Sequence, residues 1–202
     1  MIASLHAILR SQAERCPESP ALLAPDCQPL DYGRLFNQIE CTGRALGAQG
    51  ITRADRVAVV LPNGPDMAAA FLGIASYATC APLNPSYPRV QFGCYLDNLE
   101  AMAIVLPAEA DTPAREVAGQ LGIIIIELEP SLNRPAGAFT LRGLPADVDA
   151  QNDCGEAEDC ALVLHTSGTT SRPKQVPLSH RNLLSSAHAI VRTLALTGDD
   201  RC

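Results

Sequence analysis

An alternation of short apolar runs with helical segments, between residues 56 and 128, constrains the fold most. Residues 56–61 are nearly all apolar, which is typical of a strand buried on both faces of a parallel sheet. The alternation predicts strands over residues 56–61, 78–83, 103–106 and 122–128, and helices over residues 66–77, 91–99 and 115–120. Elements in this order predict an α/β fold with a mostly parallel sheet and flanking helices.

Further elements are predicted before this alternation. Apolar side chains at helical spacing predict a helix over residues 3–15, and a short strand is expected over residues 21–24. Residues 32–48 carry a second apolar stripe, with Asp31 as the expected N-cap and Gly50 just past the end. These helices would add to the layer that covers the sheet.

The chain after residue 128 changes character. Residues 129–159 are rich in Pro, Gly and acidic residues, and we expect an irregular surface segment there. A strand is predicted over residues 161–164, and residues 176–178 are expected to be extended. Ser179 is the predicted N-cap of a last helix.

Composition and charge exclude several classes of protein. With 47% hydrophobic and 18% charged residues, the chain is not a disordered one. Its net charge of −7 argues against a nucleic-acid partner. No apolar stretch approaches the ~20 residues of a membrane span. Eight cysteines without a CxxC pair, and an N-terminus without a secretory pattern, predict reduced thiols, many of them buried, in a cytoplasmic protein.

The segment after the strand over residues 161–164 carries the strongest functional signal. A glycine, Gly168, lies among five hydroxyl side chains, and Pro173 and Lys174 follow. Hydroxyl and backbone N–H groups donate hydrogen bonds, and a lysine adds a point charge suited to phosphate oxygens. The hydroxyl residues are Thr166, Ser167, Thr169, Thr170 and Ser171. This composition predicts a loop that binds a polyphosphate.

Two other kinds of site are less well supported by this segment. The common P-loop has the form GxxxxGK followed by Ser or Thr and opens into a helix. Here Pro173 precedes Lys174, and the residues that follow are predicted to be extended. A kinase-like phosphotransferase is therefore disfavoured. A serine hydrolase is weaker still, because Ser167 is not part of a GxSxG elbow.

Residues 166–174 resemble the phosphate-binding signature of the adenylate-forming enzymes, which include acyl-CoA synthetases and peptide-synthetase adenylation domains. The Ser171 variant of that signature is similar to the one in the oxalate-CoA-ligase-like branch. Four further segments are similar to motifs of the family in the same order, over residues 29–35, 55–63, 73–88 and 179–183. The resemblance therefore covers essentially the whole chain.

The resemblance implies a two-step reaction that depends on ATP, Mg²⁺ and coenzyme A. A small-molecule carboxylic acid attacks the α-phosphate of ATP to give an acyl-adenylate, and a thiol then takes the acyl group. The residues that would hold the β- and γ-phosphates are Thr166, Ser167, Gly168, Thr169, Thr170 and Lys174. No metal-ligating residue is assigned.

The resemblance also implies which part of the family's structure this is. Residues 1–202 would be part of the N-terminal domain, without the later elements and the C-terminal lid that carries the family's catalytic lysine. Adenylation by these residues alone is therefore expected to be weak. One residue departs from the family pattern, because Gln175 stands where Gly is common.

The other polar and aromatic residues are given structural roles. We expect His165 to form a local hydrogen bond at the strand end and His180 to lie in a first helical turn. Arg172 and the acids within residues 156–159 are expected to be solvated. The core is expected to take Tyr77, Tyr87, Phe92 and Tyr95.

A non-catalytic binding or interaction module is the alternative function. An incomplete sheet would leave an unpaired edge and apolar surface exposed. Such a chain would associate with itself or with a partner, which is a property that light scattering can measure.

Overall fold

The computed structural model describes residues 4–131, 135–143, 152–166, 174–198 and 200–201. Its helices are α1 (Leu5–Arg15), α2 (Tyr32–Ala48), α3 (Pro65–Ala75), α4 (Arg89–Leu99), α5 (Pro113–Leu121) and α6 (His180–Thr193). Its strands are β1 (Pro20–Leu22), β2 (Leu30–Asp31), β3 (Arg56–Val59), β4 (Thr79–Pro82), β5 (Ala103–Pro107), β6 (Ile124–Pro130), β7 (Phe139–Arg142), β8 (Cys160–Thr166) and β9 (Lys174–Ser179).

The described part of the chain forms a seven-stranded sheet in the order β7-β6-β5-β3-β4-β8-β9, and β1 pairs with β2 separately. Strands β6, β5, β3, β4 and β8 run parallel to one another, and β7 and β9 are antiparallel edge strands. The prediction of an α/β fold with a mostly parallel sheet and flanking helices is confirmed. Each predicted strand and helix between residues 56 and 128 is present.

The sheet is covered on both faces, which explains the unbroken apolar run of β3. Val57 and Val59 pack into one core with α2 and α3, and Ala58 lies in a second core with α4 and α5. Alternate residues of a strand point to opposite faces, so a strand buried on both faces needs apolar residues throughout. The aromatic ring of Phe92 is fully buried in the second core, as the sequence predicts.

The ends of two helices follow their sequence signals. The Asp31 carboxylate accepts a hydrogen bond from the Arg34 backbone N–H at 2.7 Å, which caps α2. Gly50 lies just beyond that helix with φ of +71°, a conformation that costs glycine little. At α6, the Ser179 and Asn182 side chains accept from each other's backbone N–H groups, at 3.2 and 3.0 Å, and complete a capping box.

A polar cluster joins α1, α2 and the connection between α3 and β4. The Glu40 carboxylate accepts hydrogen bonds from the Tyr77 hydroxyl at 2.6 Å and from His6 Nε2 at 2.8 Å. The backbone of α2 approaches the Tyr77 ring so closely that a Cβ on Gly43 would lie 2.4 Å from it. Tyr77 is 5% exposed, so its predicted place in the core is confirmed.

The structure differs from the sequence expectations in two places. Within residues 129–159, expected to be irregular, β7 forms an antiparallel pair with β6 through Phe139, Thr140, Leu141 and Arg142. Only Phe139 and Leu141 of β7 are apolar, in a segment rich in Pro and Gly, and the pairing is decided by β6. The seven described cysteines are free, but Cys80 alone among them is buried, so the expectation of many buried thiols is wrong.

Candidate functional site

The carboxyl ends of the parallel strands meet at one edge of the sheet. Strand β8 lies next to β4, with Cys80 and Leu162 as Cα partners, and it ends at Thr166 on this edge. Ligands of open α/β sheets bind in the crevice beyond the carboxyl ends of the strands. The segment predicted to bind phosphate therefore begins where the architecture favours a ligand site.

Strands β8 and β9 form an antiparallel hairpin whose closed end faces that edge. The last paired residues before residues 167–173 are Thr166 and Lys174, and His165 pairs with Gln175 behind them. The side chains of Thr166 and Lys174 are exposed. A hydroxyl donor and an ammonium thus stand opposite each other at the closed end.

The six predicted phosphate ligands divide into two groups. Thr166 and Lys174 are the paired residues at the closed end of the hairpin. The other four lie outside the described residues, as does Arg172: they are Ser167, Gly168, Thr169 and Thr170. Contact of all six residues with phosphate stays a prediction.

Lys174 is chemically distinct from every other basic residue of the chain. It is the only lysine in the sequence, in which Lys and Arg together number 15. A compact ammonium on a flexible stem differs chemically from the planar guanidinium of arginine. The chain therefore uses arginine for every other basic position and has its single primary side-chain amine at the end of this hairpin.

His165 is packed differently from the sequence expectation. Its ring meets the Tyr95 ring edge-on, with centroids 4.7 Å apart, and Tyr95 stacks on Tyr87 at 4.9 Å. Both ring nitrogens are buried, and neither has a hydrogen-bond partner among the described residues, so the expected local hydrogen bond is not found there. Burial lowers the pKa of His165, which keeps the imidazole neutral at neutral pH.

Gln175 lies in an extended strand, and the conformation that glycine favours is not required there. The non-glycine residues with positive φ in the described part of the chain are Asp26, Glu100, Glu109 and Ala195. The Gln175 Nε2 group donates to the Asn98 backbone carbonyl at 2.6 Å and to Asn98 Oδ1 at 2.7 Å. The hairpin is thereby bonded to the last turn of α4, a contact that no sequence motif signalled.

A cleft of about 500 Å³ lies at the same edge of the sheet, beyond the carboxyl ends of β3 and β4. Its lining includes the polar side chains of Asn63, Asn84 and Ser86, and the Asn84 Oδ1 accepts from the Ser86 backbone N–H at 2.9 Å. In the sequence these positions fall within residues 55–63 and 73–88, which resemble motifs of the family, but they were given no role in a site. The apolar part of the lining comes from Leu61, Met67, Pro82, Leu83 and Pro85.

The acidic turn before β8 is exposed, and its carboxylates are paired with arginines. Arg53 Nη1 lies 2.5 Å from Glu156 and 3.2 Å from Asp159, and Arg181 pairs with Glu158. The carboxylates of this turn therefore lie in surface ion pairs rather than being solvated alone.

His180 is buried, and its Nδ1 accepts from the Leu5 backbone N–H at 3.2 Å. It lies in the first turn of α6 as expected, but its side chain joins that helix to the start of α1.

The described residues suit a phosphate better than a bare metal ion. Within the described ranges, no group of three or more His, Cys, Asp or Glu side chains could hold a metal. The hydroxyl of Thr166 and the ammonium of Lys174 are donors, which match phosphate oxygens. In ATP sites Mg²⁺ is usually held by the phosphates themselves with few protein carboxylates, so this donor set fits a Mg²⁺–nucleotide.

No helix in the described part of the chain combines the length and apolarity that a membrane crossing requires.

Comparison with known proteins gives the same assignment along almost the whole sequence. The family model described as AMP-binding enzyme matches residues 9–202. An oxalate–CoA ligase of Arabidopsis thaliana is 34% identical over 202 residues, which are 98% of this chain and 39% of that ligase. A sulfoacetate–CoA ligase of Cupriavidus necator is 30% identical over 202 residues, with the same shares of 98% and 39%.

The solved structures agree with these sequence matches. The crystal structure of apo MatB from Rhodopseudomonas palustris superposes with a TM-score of 0.77 at 25% identity and covers 99% of this chain and 39% of MatB. The apo structure of MbtA from Mycobacterium smegmatis superposes with a TM-score of 0.80 at 23% identity, which shows the shared fold. The chain thus spans 39% of the length of the first of these relatives. By sequence and by fold, the chain belongs to the AMP-binding family of adenylate-forming enzymes.

Proposed function

We propose that this chain supplies the triphosphate-binding part of a ligase that activates a small carboxylic acid with ATP and transfers the acyl group to coenzyme A. The observation that carries the proposal is the pairing of Thr166 with Lys174 at the closed end of the β8–β9 hairpin. This pair stands at the sheet edge where α/β proteins bind ligands, and it flanks the segment of hydroxyls and glycine over residues 167–173.

The chemistry assigns each group a task. Acid activation breaks the bond between the α- and β-phosphates, so negative charge develops on the departing pyrophosphate. Donors fixed in advance around that charge stabilise the transition state more than they stabilise the bound substrate. We assign this task to Thr166 and Lys174 together with Ser167, Gly168, Thr169 and Thr170. Bound Mg²⁺ would neutralise part of the phosphate charge.

The acid and the acceptor are inferred from the relatives. The oxalate–CoA and sulfoacetate–CoA ligases are named for small acids and for coenzyme A as the thiol. We propose a small carboxylic acid and coenzyme A for this protein on that ground, with the cytoplasm as its compartment. The assignment of residues 1–202 to part of the N-terminal domain of such an enzyme belongs to the same proposal.

The proposal makes a prediction about the isolated chain. Because it spans 39% of the oxalate–CoA ligase of Arabidopsis thaliana, we expect it to bind the phosphates but to turn over slowly. Acid-dependent exchange of labelled pyrophosphate into ATP measures that turnover. Rapid exchange by the purified 202-residue chain would contradict the expected need for the rest of the enzyme.

Replacement of the lysine tests the site directly. Lys174→Ala removes the ammonium, and we expect Mg²⁺–pyrophosphate to bind more weakly by about 1.5–3 kcal/mol, the value of a hydrogen bond to a charged group. Isothermal titration calorimetry gives the dissociation constants. Arg192→Ala is the matched control, because it removes an exposed positive charge on α6. If the unaltered chain and Lys174→Ala bound Mg²⁺–pyrophosphate with equal affinity, Lys174 would not be a phosphate ligand.

An interaction module remains the second candidate, and the exposed apolar surface around α6 favours it. Leu194 is 64% exposed and Ile190 is 51% exposed, and β9 is an edge strand among the described strands. Contiguous exposed apolar surface marks interaction sites. Leu194→Glu should reduce concentration-dependent association in sedimentation experiments, whereas Leu121→Glu, on exposed α5 surface, should not. A monomer at all concentrations would exclude self-association.

A further inference from the structure

Near its closed end, the β8–β9 hairpin is attached to α4 by two neighbouring side chains. His165 and Gln175 are Cα partners across the hairpin, immediately behind the Thr166–Lys174 pair. His165 contacts the Tyr95 ring, and Gln175 donates two hydrogen bonds to Asn98. We call these two contacts with α4 the hairpin anchor.

Gln175 of the hairpin anchor bonds to a backbone carbonyl in the last turn of α4. The last four carbonyls of an α-helix lack a partner within the helix, and they carry partial negative charge. Asn98 is one residue before the end of α4, and the Gln175 amide donates to its carbonyl at 2.6 Å and to its Oδ1 at 2.7 Å. Glycine at this position would leave both oxygens without that donor.

On the opposite face, α6 packs against β8 and β9, but the cross-strand pair next to the closed end stays exposed. Leu164 and Val176 form the next cross-strand pair, and they are 41% and 37% exposed. Successive residues of a strand point to opposite faces, so near its closed end the hairpin is held from the side of the anchored pair. The direction in which Thr166 and Lys174 leave the sheet therefore depends on the contact with α4.

We infer that Gln175 is a positioning residue that acts through Asn98 to hold Lys174 in place for phosphate. The effect on phosphate binding rests on the proposed function, but the contact of the hairpin with α4 is testable without a ligand. The family's common glycine makes no such contact, so the device belongs to this chain's own sequence. Gln175 and Asn98 take no part in the reaction. Their contact only fixes the direction of the hairpin that carries Lys174.

The first measurement is amide hydrogen exchange of the full chain without ligand. Gln175→Glu places a carboxylate against two oxygens that now accept hydrogen bonds, and we expect the amides of residues 164–166 and 174–176 to exchange about 3- to 10-fold faster. Gln91→Glu, which adds the same charge at an exposed position of α4, is the matched control and should leave them unchanged. Unchanged exchange in Gln175→Glu would overturn the anchor.

The second measurement uses the single lysine as a reporter. Reductive methylation with labelled formaldehyde marks Lys174 and the terminal amine while keeping the charge, so NMR follows one side-chain signal. Titration with Mg²⁺–pyrophosphate should need about 3- to 10-fold more ligand in Gln175→Glu than in Gln91→Glu. Faster exchange with equal pyrophosphate affinity would overturn the positioning role.

A double-mutant cycle separates the anchor from general destabilisation. Asn98→Ala removes Oδ1 but keeps the backbone carbonyl, so its effect should be smaller than that of Gln175→Ala. The double variant should exchange less rapidly than the product of the single effects predicts, because both act on one contact. Multiplicative effects would overturn action through Asn98. Failure of the unaltered chain to bind pyrophosphate would remove the proposed function alone, since the exchange result decides the anchor separately.

Discussion

The interior of the sheet and its β8–β9 edge are built from similar residues but packed in different ways. Val59 of β3 is completely buried between parallel neighbours, whereas Val176 of β9 is 37% exposed. The interior strands are covered by helices on both faces, and α6 covers the hairpin only in part. The difference shows that the scaffold is fixed by burial, while the edge that carries the predicted phosphate ligands depends on a few polar contacts.

Replacement of Val59 in the interior and Val176 at the edge by alanine should give the largest difference in the free energy of unfolding. Val59→Ala removes buried carbons and leaves a cavity, so we expect the free energy of unfolding to fall by roughly 2–3 kcal/mol. Val176→Ala removes partly exposed carbons and should cost under about 1 kcal/mol. Urea denaturation with a constant m-value measures both. Equal losses would show that the edge is packed as firmly as the interior.

Removal of the N-cap of α6, the helix that follows edge strand β9, should lower the free energy of unfolding by an intermediate amount. Ser179→Ala breaks the capping box with Asn182, and we expect a loss of about 1 kcal/mol. Ser186→Ala, at an exposed position inside the same helix, should be neutral or slightly stabilising because alanine has the higher helix propensity. Thermal unfolding compares the two variants. A loss in both would point to a cause other than the cap.

Loss of a hydrogen bond in the polar cluster of Glu40, Tyr77 and His6 should have an effect that is no larger than that of the cap at pH 7 and that depends on pH. Burial alone would raise the pKa of Glu40, but hydrogen bonds from Tyr77 and His6 outweigh it and lower the pKa. A carboxyl with a lowered pKa adds stability above its unfolded pKa, and that stability is lost as the pH falls through the folded pKa. Tyr77→Phe should therefore cost about 1 kcal/mol at pH 7 and less below about pH 4.

The control for this prediction is Tyr32, at the start of α2, the helix that carries Glu40. Tyr32→Phe removes a hydroxyl that is not among the hydrogen-bond partners of Glu40. Its effect on the free energy of unfolding should not change with pH in the acid range. A constant difference between Tyr77→Phe and the unaltered chain down to pH 3 would contradict the assigned hydrogen bond.

Much of the fold could be predicted because burial on both faces leaves a continuous apolar pattern. The runs that became β3, β4, β5 and β6, and the caps Asp31 and Ser179, were all visible in the sequence. The strand β7 was not, because its two apolar residues, Phe139 and Leu141, lie in a Pro- and Gly-rich segment and gain their structure from β6. Cysteine burial was also misjudged, because it depends on which helix faces the thiols meet.

The candidate site, like the fold, has a part that the sequence predicted and a part that only the tertiary structure revealed. The order of hydroxyls, Gly168, Pro173 and Lys174 along the chain predicted phosphate chemistry and the family, because a loop that binds phosphate needs those donors close together in sequence. Only the tertiary structure brought Gln175 to Asn98 and His165 to Tyr95. These contacts join residues 77 and 70 positions apart, and such distances are bridged only when β8 adds beside β4 and places its hairpin over the end of α4.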